Sequence, residues 1–224
     1  MSLWRASVEV LRAPPRERVL VFAPHADDEV LGCGGTIMLH TAQSDPVHVV
    51  IAFDGLLGLA AQWPRDTRRK EAARAALTLG LRPYQFLDHP EGHVPTAAEF
   101  EAGARQAAEI IEALEPDAIY APWPGEAHLD HRTLARVVFR GWQMVQCRAE
   151  VWGFEVWTPL RADRVIEISG VWPKKLAALA EYESQSGSTN LTLQAEERAR
   201  SRGALFSERL SRSEGFLRFP RGKP

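Results

Sequence analysis

Cysteine is scarce in this chain: Cys33 and Cys147 are the only two among 224 residues. Two thiols so far apart make neither a disulfide framework nor a Cys-rich metal site, and they fit free cysteines in a reducing compartment. An excess of one charge is also missing. Lys and Arg number 27 against 29 Asp and Glu, a formal net charge of -2, so no global field draws in nucleic acid or an anionic membrane. The run from Arg65 to Lys70 is the best candidate for a local basic patch. No apolar run approaches the ~18 residues that span a bilayer. The first twenty residues lack the apolar core of a signal peptide. Internal repeats and low-complexity tracts are absent too. These absences lead us to expect a cytoplasmic protein with no nucleic-acid partner and no transmembrane segment.

What is present is ordinary globular material, 45% hydrophobic and 25% charged, enough for one domain over residues 1–224 with a sizeable core. Short apolar runs alternate with helical patterns. Arg18–Ala23, Val47–Phe53, Tyr84–Leu87 and Ala118–Ala121 read as buried strands, and Val151–Trp157 and Val165–Ile168 as later ones. Val30–Thr41, Arg65–Leu79, Thr96–Glu115, Asp130–Gln146, Trp172–Glu183 and Leu193–Leu210 read as helices. Gly80 stands where a C-terminal cap belongs, and Thr96 with Glu99 form a capping box. This alternation predicts an α/β fold of Rossmann-like type, a mostly parallel sheet with helices on both faces. Ligands of such sheets sit beyond the carboxyl ends of the strands.

Two clusters of ionisable residues fall at such ends. Pro24-His25-Ala26-Asp27-Asp28-Glu29 follows the first strand. Adjacent carboxylates repel there, and a cation removes that cost. His25 and Asp28, three apart, suit zinc, which leaves Asp27 beside the metal where a general base belongs. Helix capping alone explains the acids but not His25. The Gly32–Gly35 stretch lacks the G-x-G-x-x-G spacing of a dinucleotide site, since Ile37 stands where the third glycine is needed. The second cluster, His128-Leu129-Asp130-His131, opens the helix after the fourth strand. Either His128 or His131 can complete the metal site. Asp130 can orient an imidazole, and the other histidine can face a developing oxyanion. Two histidines and one carboxylate hold ferrous iron as well as zinc. Trp123, Trp152 and Trp157 lie near strand ends, where they can pack in the core or stack on a sugar face.

Taken together, PHADDEVLGCGG after a strand and HLDHR near a later one resemble the LmbE-like, or PIG-L, family of zinc-dependent N-acetylglucosamine deacetylases. The family's first motif usually reads PHPDDE, with Ala26 here replacing its inner proline. Arg68-Arg69-Lys70-Glu71 with Leu79-Gly80, Tyr182-Glu183-Ser184-Gln185, Arg202-Gly203 and Glu214-Gly215-Phe216 are similar to its weaker motifs. The resemblance implies an LmbE-like fold with zinc on His25, Asp28 and His131. It implies Asp27 as the base, His128 on the tetrahedral oxyanion and Asp130 orienting a histidine. It also implies Arg68 and Glu91 as substrate contacts. Glu126 occupies a position where some relatives carry a catalytic tyrosine. The expected reaction is hydrolysis of the N-acetyl group of an N-acetylglucosamine-type conjugate. The alternatives are a zinc amidase on a non-sugar or longer-chain acyl-amine, and a sugar-binding module without catalysis. A homo-oligomer is compatible with the sequence.

Overall fold

The computed structural model describes residues 8–186, 190–206 and 212–220. Its centre is an eight-stranded sheet in the order β1-β7-β8-β6-β5-β2-β3-β4. The strands are β1 (Glu9–Leu11), β2 (Val19–Ala23), β3 (Val47–Phe53), β4 (Gln85–His89), β5 (Ala118–Pro122), β6 (Glu150–Phe154), β7 (Arg164–Glu167) and β8 (Ser213–Phe219). The helices are α1 (Asp28–Ala42), α2 (Thr67–Leu79), α3 (Ala97–Leu114), α4 (Leu129–Met144), α5 (Trp172–Ala180) and α6 (Leu191–Phe206). The fold is the expected α/β architecture. The last residues of the helix expected over Leu193–Leu210 lie outside the described residues.

The apolar runs form strands because both faces of the sheet are covered. In β2, Val19, Val21 and Ala23 face a core shared with α1, α2, α5 and α6. Leu20 and Phe22 face a second core closed by α3 and α4. This period of two, hidden in a continuous apolar run, marks a buried parallel strand. Its neighbours β3 and β5 are both parallel to β2. The chain steps from β2 to β3 on one side and later returns to β5 on the other, so a crevice opens above β2.

Several boundaries follow local chemistry. Gly80 caps α2 in the left-handed conformation at φ 77°, and the Thr96–Glu99 capping box is present. The strand expected over Val151–Trp157 stops at Phe154. Beyond it, the Glu126 carboxylate accepts bonds from the amides of Val156, Trp157 and Thr158, which takes them out of any ladder. The helix expected over Trp172–Glu183 ends at Ala180, and a single 3₁₀ turn covers Glu183–Gln185. Ser184 bonds to the buried carboxylate of Glu71 through its amide and its hydroxyl.

Two strands were not expected. β1 is a three-residue edge strand. β8 runs antiparallel between β6 and β7 and carries Glu214. That carboxylate accepts from Gly35 N and from Thr36 N and Oγ1, and it pairs with Lys175. It therefore caps the second half of α1, whose helical backbone breaks at Cys33 (φ -144°, ψ 19°). Among the described residues, no helix is long and apolar enough to cross a membrane.

Candidate metal centre

The two clusters meet above the carboxyl ends of β2 and β5. His25 and Asp28 come from the turn into α1, and His131 comes from the first turn of α4. His25 Nδ1 and His131 Nε2 each lie 3.2 Å from Asp28 Oδ2. The three residues offer donor atoms that all lie within 4.8 Å of one another. All three are buried, His131 completely. Asp130, one residue earlier, turns back to His25: its Oδ2 lies 3.1 Å from His25 Nε2. The Asp130 carboxylate is held in turn by the amide of Gly92 at 3.0 Å. His25 is thus gripped at one nitrogen by Asp130 and presents the other toward Asp28.

Whether a cation fits is decided by His131. Both its ring nitrogens are buried, and neither makes a hydrogen bond in the structure. Its Nε2 is near Asp28 without the alignment of a bond, and its Nδ1 is 4.0 Å from Glu126 Oε2. An imidazole so buried and unsatisfied costs free energy unless something accepts its lone pair. Two imidazoles and one carboxylate form a donor set for zinc or ferrous iron. A second trio, His25, Glu91 and Asp130, is also close enough for one ion. It fits less well, because it leaves His131 unsatisfied and its Glu91 is only partly buried.

The electrostatics point the same way. Asp27, Asp28, Glu29 and Asp130 are all buried within one turn and one helix start. Burial pushes the Asp27 carboxyl up to about 8, and nearby Arg68 only partly opposes this. Burial likewise raises Glu29 to about 7. Burial disfavours ionised Asp28, yet the two imidazoles hold its carboxyl well below the usual range. Burial also disfavours charged His25, but its bonds to Asp130 and Asp28 draw it up to about 10. The cluster is short of positive charge, and an imidazole is recruited to supply it.

The remaining expected residues lie around this centre. Asp27 occupies the N-cap position of α1 without making a side-chain cap bond, so capping does not account for it. His128 is the N-cap of α4, accepting from Asp130 N at 3.3 Å. Its ring lies 4.7 Å from that of His131 and faces outward. Burial, then His131 and His25, lower its pKa, which keeps the ring neutral. Glu91 Oε1 is 3.6 Å from His25 Nε2. Arg68 is buried, 3.4 Å from Asp27 Oδ2. Of its basic run, Arg69 pairs with Asp88 and Lys70 with Asp66. Of the three tryptophans near strand ends, Trp152 is buried in the core, Trp123 donates to Thr158 O, and Trp157 is exposed.

Two contributors had no assigned role in the sequence reading. Glu126 organises the loop after β6 beneath His131. Glu29 receives the amide of Asp27 (3.0 Å) and the hydroxyl of Tyr182 (2.5 Å). Their signal was residue type alone: an acid next to a ligand motif.

Comparison with known proteins gives a consistent neighbourhood. Residues 20–141 match the family model described as GlcNAc-PI de-N-acetylase (PIG-L). The probable N-acetyl-alpha-D-glucosaminyl L-malate deacetylase 2 of Bacillus cereus is 30% identical over 187 residues, covering 75% of this chain and 83% of that protein. The 4-oxalmesaconate hydratase of Pseudomonas putida is 29% identical over 191 residues, covering 74% and 72%. Among solved structures, the conserved protein TT1542 of Thermus thermophilus superposes with a TM-score of 0.80 at 22% identity, covering 92% of this chain and 97% of that one. The N,N'-diacetylchitobiose deacetylase of Pyrococcus horikoshii superposes with a TM-score of 0.72 at 22% identity, covering 90% and 83%.

Proposed function

The chain belongs to the PIG-L, or GlcNAc-PI de-N-acetylase, family, and from that premise we propose that it hydrolyses the N-acetyl group of an N-acetylglucosamine-type conjugate with the aid of a divalent metal ion. The observation that carries this reading is Asp27. A buried carboxylate bonded to no ligand residue stands beside a buried His–Asp–His set whose second imidazole has no hydrogen bond. A binding module has no use for that carboxylate.

His25, Asp28 and His131 would hold the metal, zinc in our reading, and when bound it would supply Lewis acidity toward an amide carbonyl and a more acidic water at neutral pH. The chain's own residues do the rest. Asp27 takes the proton of the attacking water. His128, neutral and at the rim, donates to the oxygen of the tetrahedral intermediate and stabilises its charge. Asp130 keeps His25 in the tautomer that points Nδ1 at the ligand set. The amine leaves carrying the proton, and acetate is the co-product. Arg68, 3.4 Å from Asp27, and Glu91, 3.6 Å from His25, are the substrate contacts in this reading.

A second reading comes from the hydratase relative: water added to a carbon–carbon double bond of an oxo acid. A longer acyl chain is a further variant. An apolar cavity of about 140 Å³, lined by Phe22, Leu87, Phe100, Leu134 and Val137, lies across Phe53 from His25. The test is amine release from a panel of N-acetylglucosamine conjugates and longer N-acyl analogues, with metal-stripped and zinc-reloaded protein. Zinc-restored activity that vanishes in Asp27→Ala supports the proposal. Turnover of 4-oxalmesaconate with no amine from any conjugate replaces it with hydration, and failure to bind zinc defeats it.

A further inference from the structure

The backbone of Asp27 lies at φ 128°, ψ -30°, a conformation that side chains of L-residues rarely adopt. Such a residue persists only when its surroundings over-determine it. Here the peptide between Ala26 and Asp27 is held at both ends. Arg68 Nη2 donates to Ala26 O at 2.9 Å, and Asp27 N donates to Glu29 Oε2 at 3.0 Å. The next peptide is fixed as well, since Asp27 O accepts from Val30 N and Leu31 N at 3.1 and 2.9 Å. With both flanking planes fixed, the torsion at Asp27 has no freedom left.

The two clamping side chains are themselves anchored. Arg68 Nη1 donates to Gly55 O at 3.3 Å. The other oxygen of Glu29 accepts from the hydroxyl of Tyr182, a fully buried residue that arrives from the segment after α5. Tyr182 and Arg68 therefore reach the same peptide from opposite sides, and neither needs to touch substrate to do so.

We propose that Tyr182, acting through Glu29, and Arg68 are positioning residues that hold the Ala26–Asp27 peptide in its strained orientation, so that the Asp27 carboxylate stays beside the His25–Asp28–His131 set. This inference rests on Asp27 being the base, but the clamp can be judged even if that reading fails.

The clamp is read by a stability cycle of four proteins: wild type, Tyr182→Phe, Asp27→Gly and the double variant, each melted without metal. If Tyr182 holds strain in place, its loss lets Asp27 relax, and the relaxation offsets part of the lost hydrogen bond. A glycine at this position has no strain to release. Tyr182→Phe then lowers the melting temperature less in the wild-type background than in the Asp27→Gly background. Equal drops in the two backgrounds overturn the proposal. With an active substrate in hand, Tyr182→Phe lowers kcat about 10²-fold, the cost of a base misplaced by an ångström, while KM and zinc stoichiometry stay unchanged. A rise in KM with kcat intact overturns it as well. If wild type turns over no conjugate, the proposed deacetylation falls, and the melts still decide the clamp.

Discussion

Replacing Asp27 by glycine and by alanine separates what its backbone costs from what its carboxylate does. Both substitutions remove the carboxylate, and both leave Arg68 Nη2 bonded to Ala26 O. They differ only in the Cβ at φ 128°. A residue held in so sparsely populated a region costs about 1–3 kcal/mol. Glycine escapes that cost, but it gains unfolded-state entropy worth about 0.4–1 kcal/mol. Taking the middle of both ranges, the net advantage of Asp27→Gly over Asp27→Ala is about 1.3 kcal/mol. For a chain of this length each kcal/mol moves the melting temperature by about 2–4 °C, so the glycine variant melts about 3–5 °C above the alanine variant. The assay is calorimetric melting of both variants with chelator present, because a bound metal would add its own linkage to either melt. Both are inactive in the amine-release assay. An alanine variant as stable as the glycine variant, or more so, refutes the claim that the fold stores strain at its base.

Glu17 supplies a pH test far from the metal centre: burial, then Asp117, Glu150 and Asp45, push its carboxyl up to about 7. A raised folded-state pKa means that protonated Glu17 favours the fold; its contribution is full below about 4.5 and is lost as pH rises through 7. Glu17→Gln, a neutral isostere, therefore melts above wild type at about pH 8.5 and level with it at about pH 4, and an unchanged gap across that range contradicts the assignment. The buried pair Lys175–Glu214 pins the break in α1 at 2.6 Å. Lys175→Met leaves the carboxylate without its cation and costs about 3–5 kcal/mol; adding Glu214→Gln recovers part of this in urea unfolding, whereas an additive loss shows that the pairing is not the source.

How much of this was legible depended on whether the cause was local. β2 and β3 were readable because burial on both faces leaves a nearly continuous apolar run, broken only by His48. The capping box at Thr96 and the glycine cap at Gly80 were readable because the residues that make them lie within a few positions. β8 was not: SEGFLRF carries an acid and an arginine, and its place between β6 and β7 depends on partners distant in the chain. The helix expected through Glu183 failed for a similar reason, since Tyr182 and Ser184 are captured by Glu29 and Glu71. At the site, residue types and spacing identified both clusters but could not choose between His128 and His131. That choice turns on where α4 starts. With Leu129 as its first residue, His128 becomes the exposed cap and His131 turns inward.

The geometry also bears on what family membership leaves open. A base beside a cation serves water attack on an amide carbonyl or on an activated double bond equally well, and the family neighbourhood includes a protein named for each reaction. The reactions differ in where the proton must end. An amide nitrogen leaves only when protonated, so hydrolysis needs a group that carries a proton from the buried base to the open side. Asp27 is buried beside the His25–Asp28–His131 set, out of reach of the open side. His128 stands exposed at the rim, its ring 4.7 Å from that of His131, where a leaving amine would depart. On the reading proposed above, Asp27 and His128 are the groups that would meet that need, and amine release from the conjugate panel, set against turnover of the oxo acid, tells the two reactions apart.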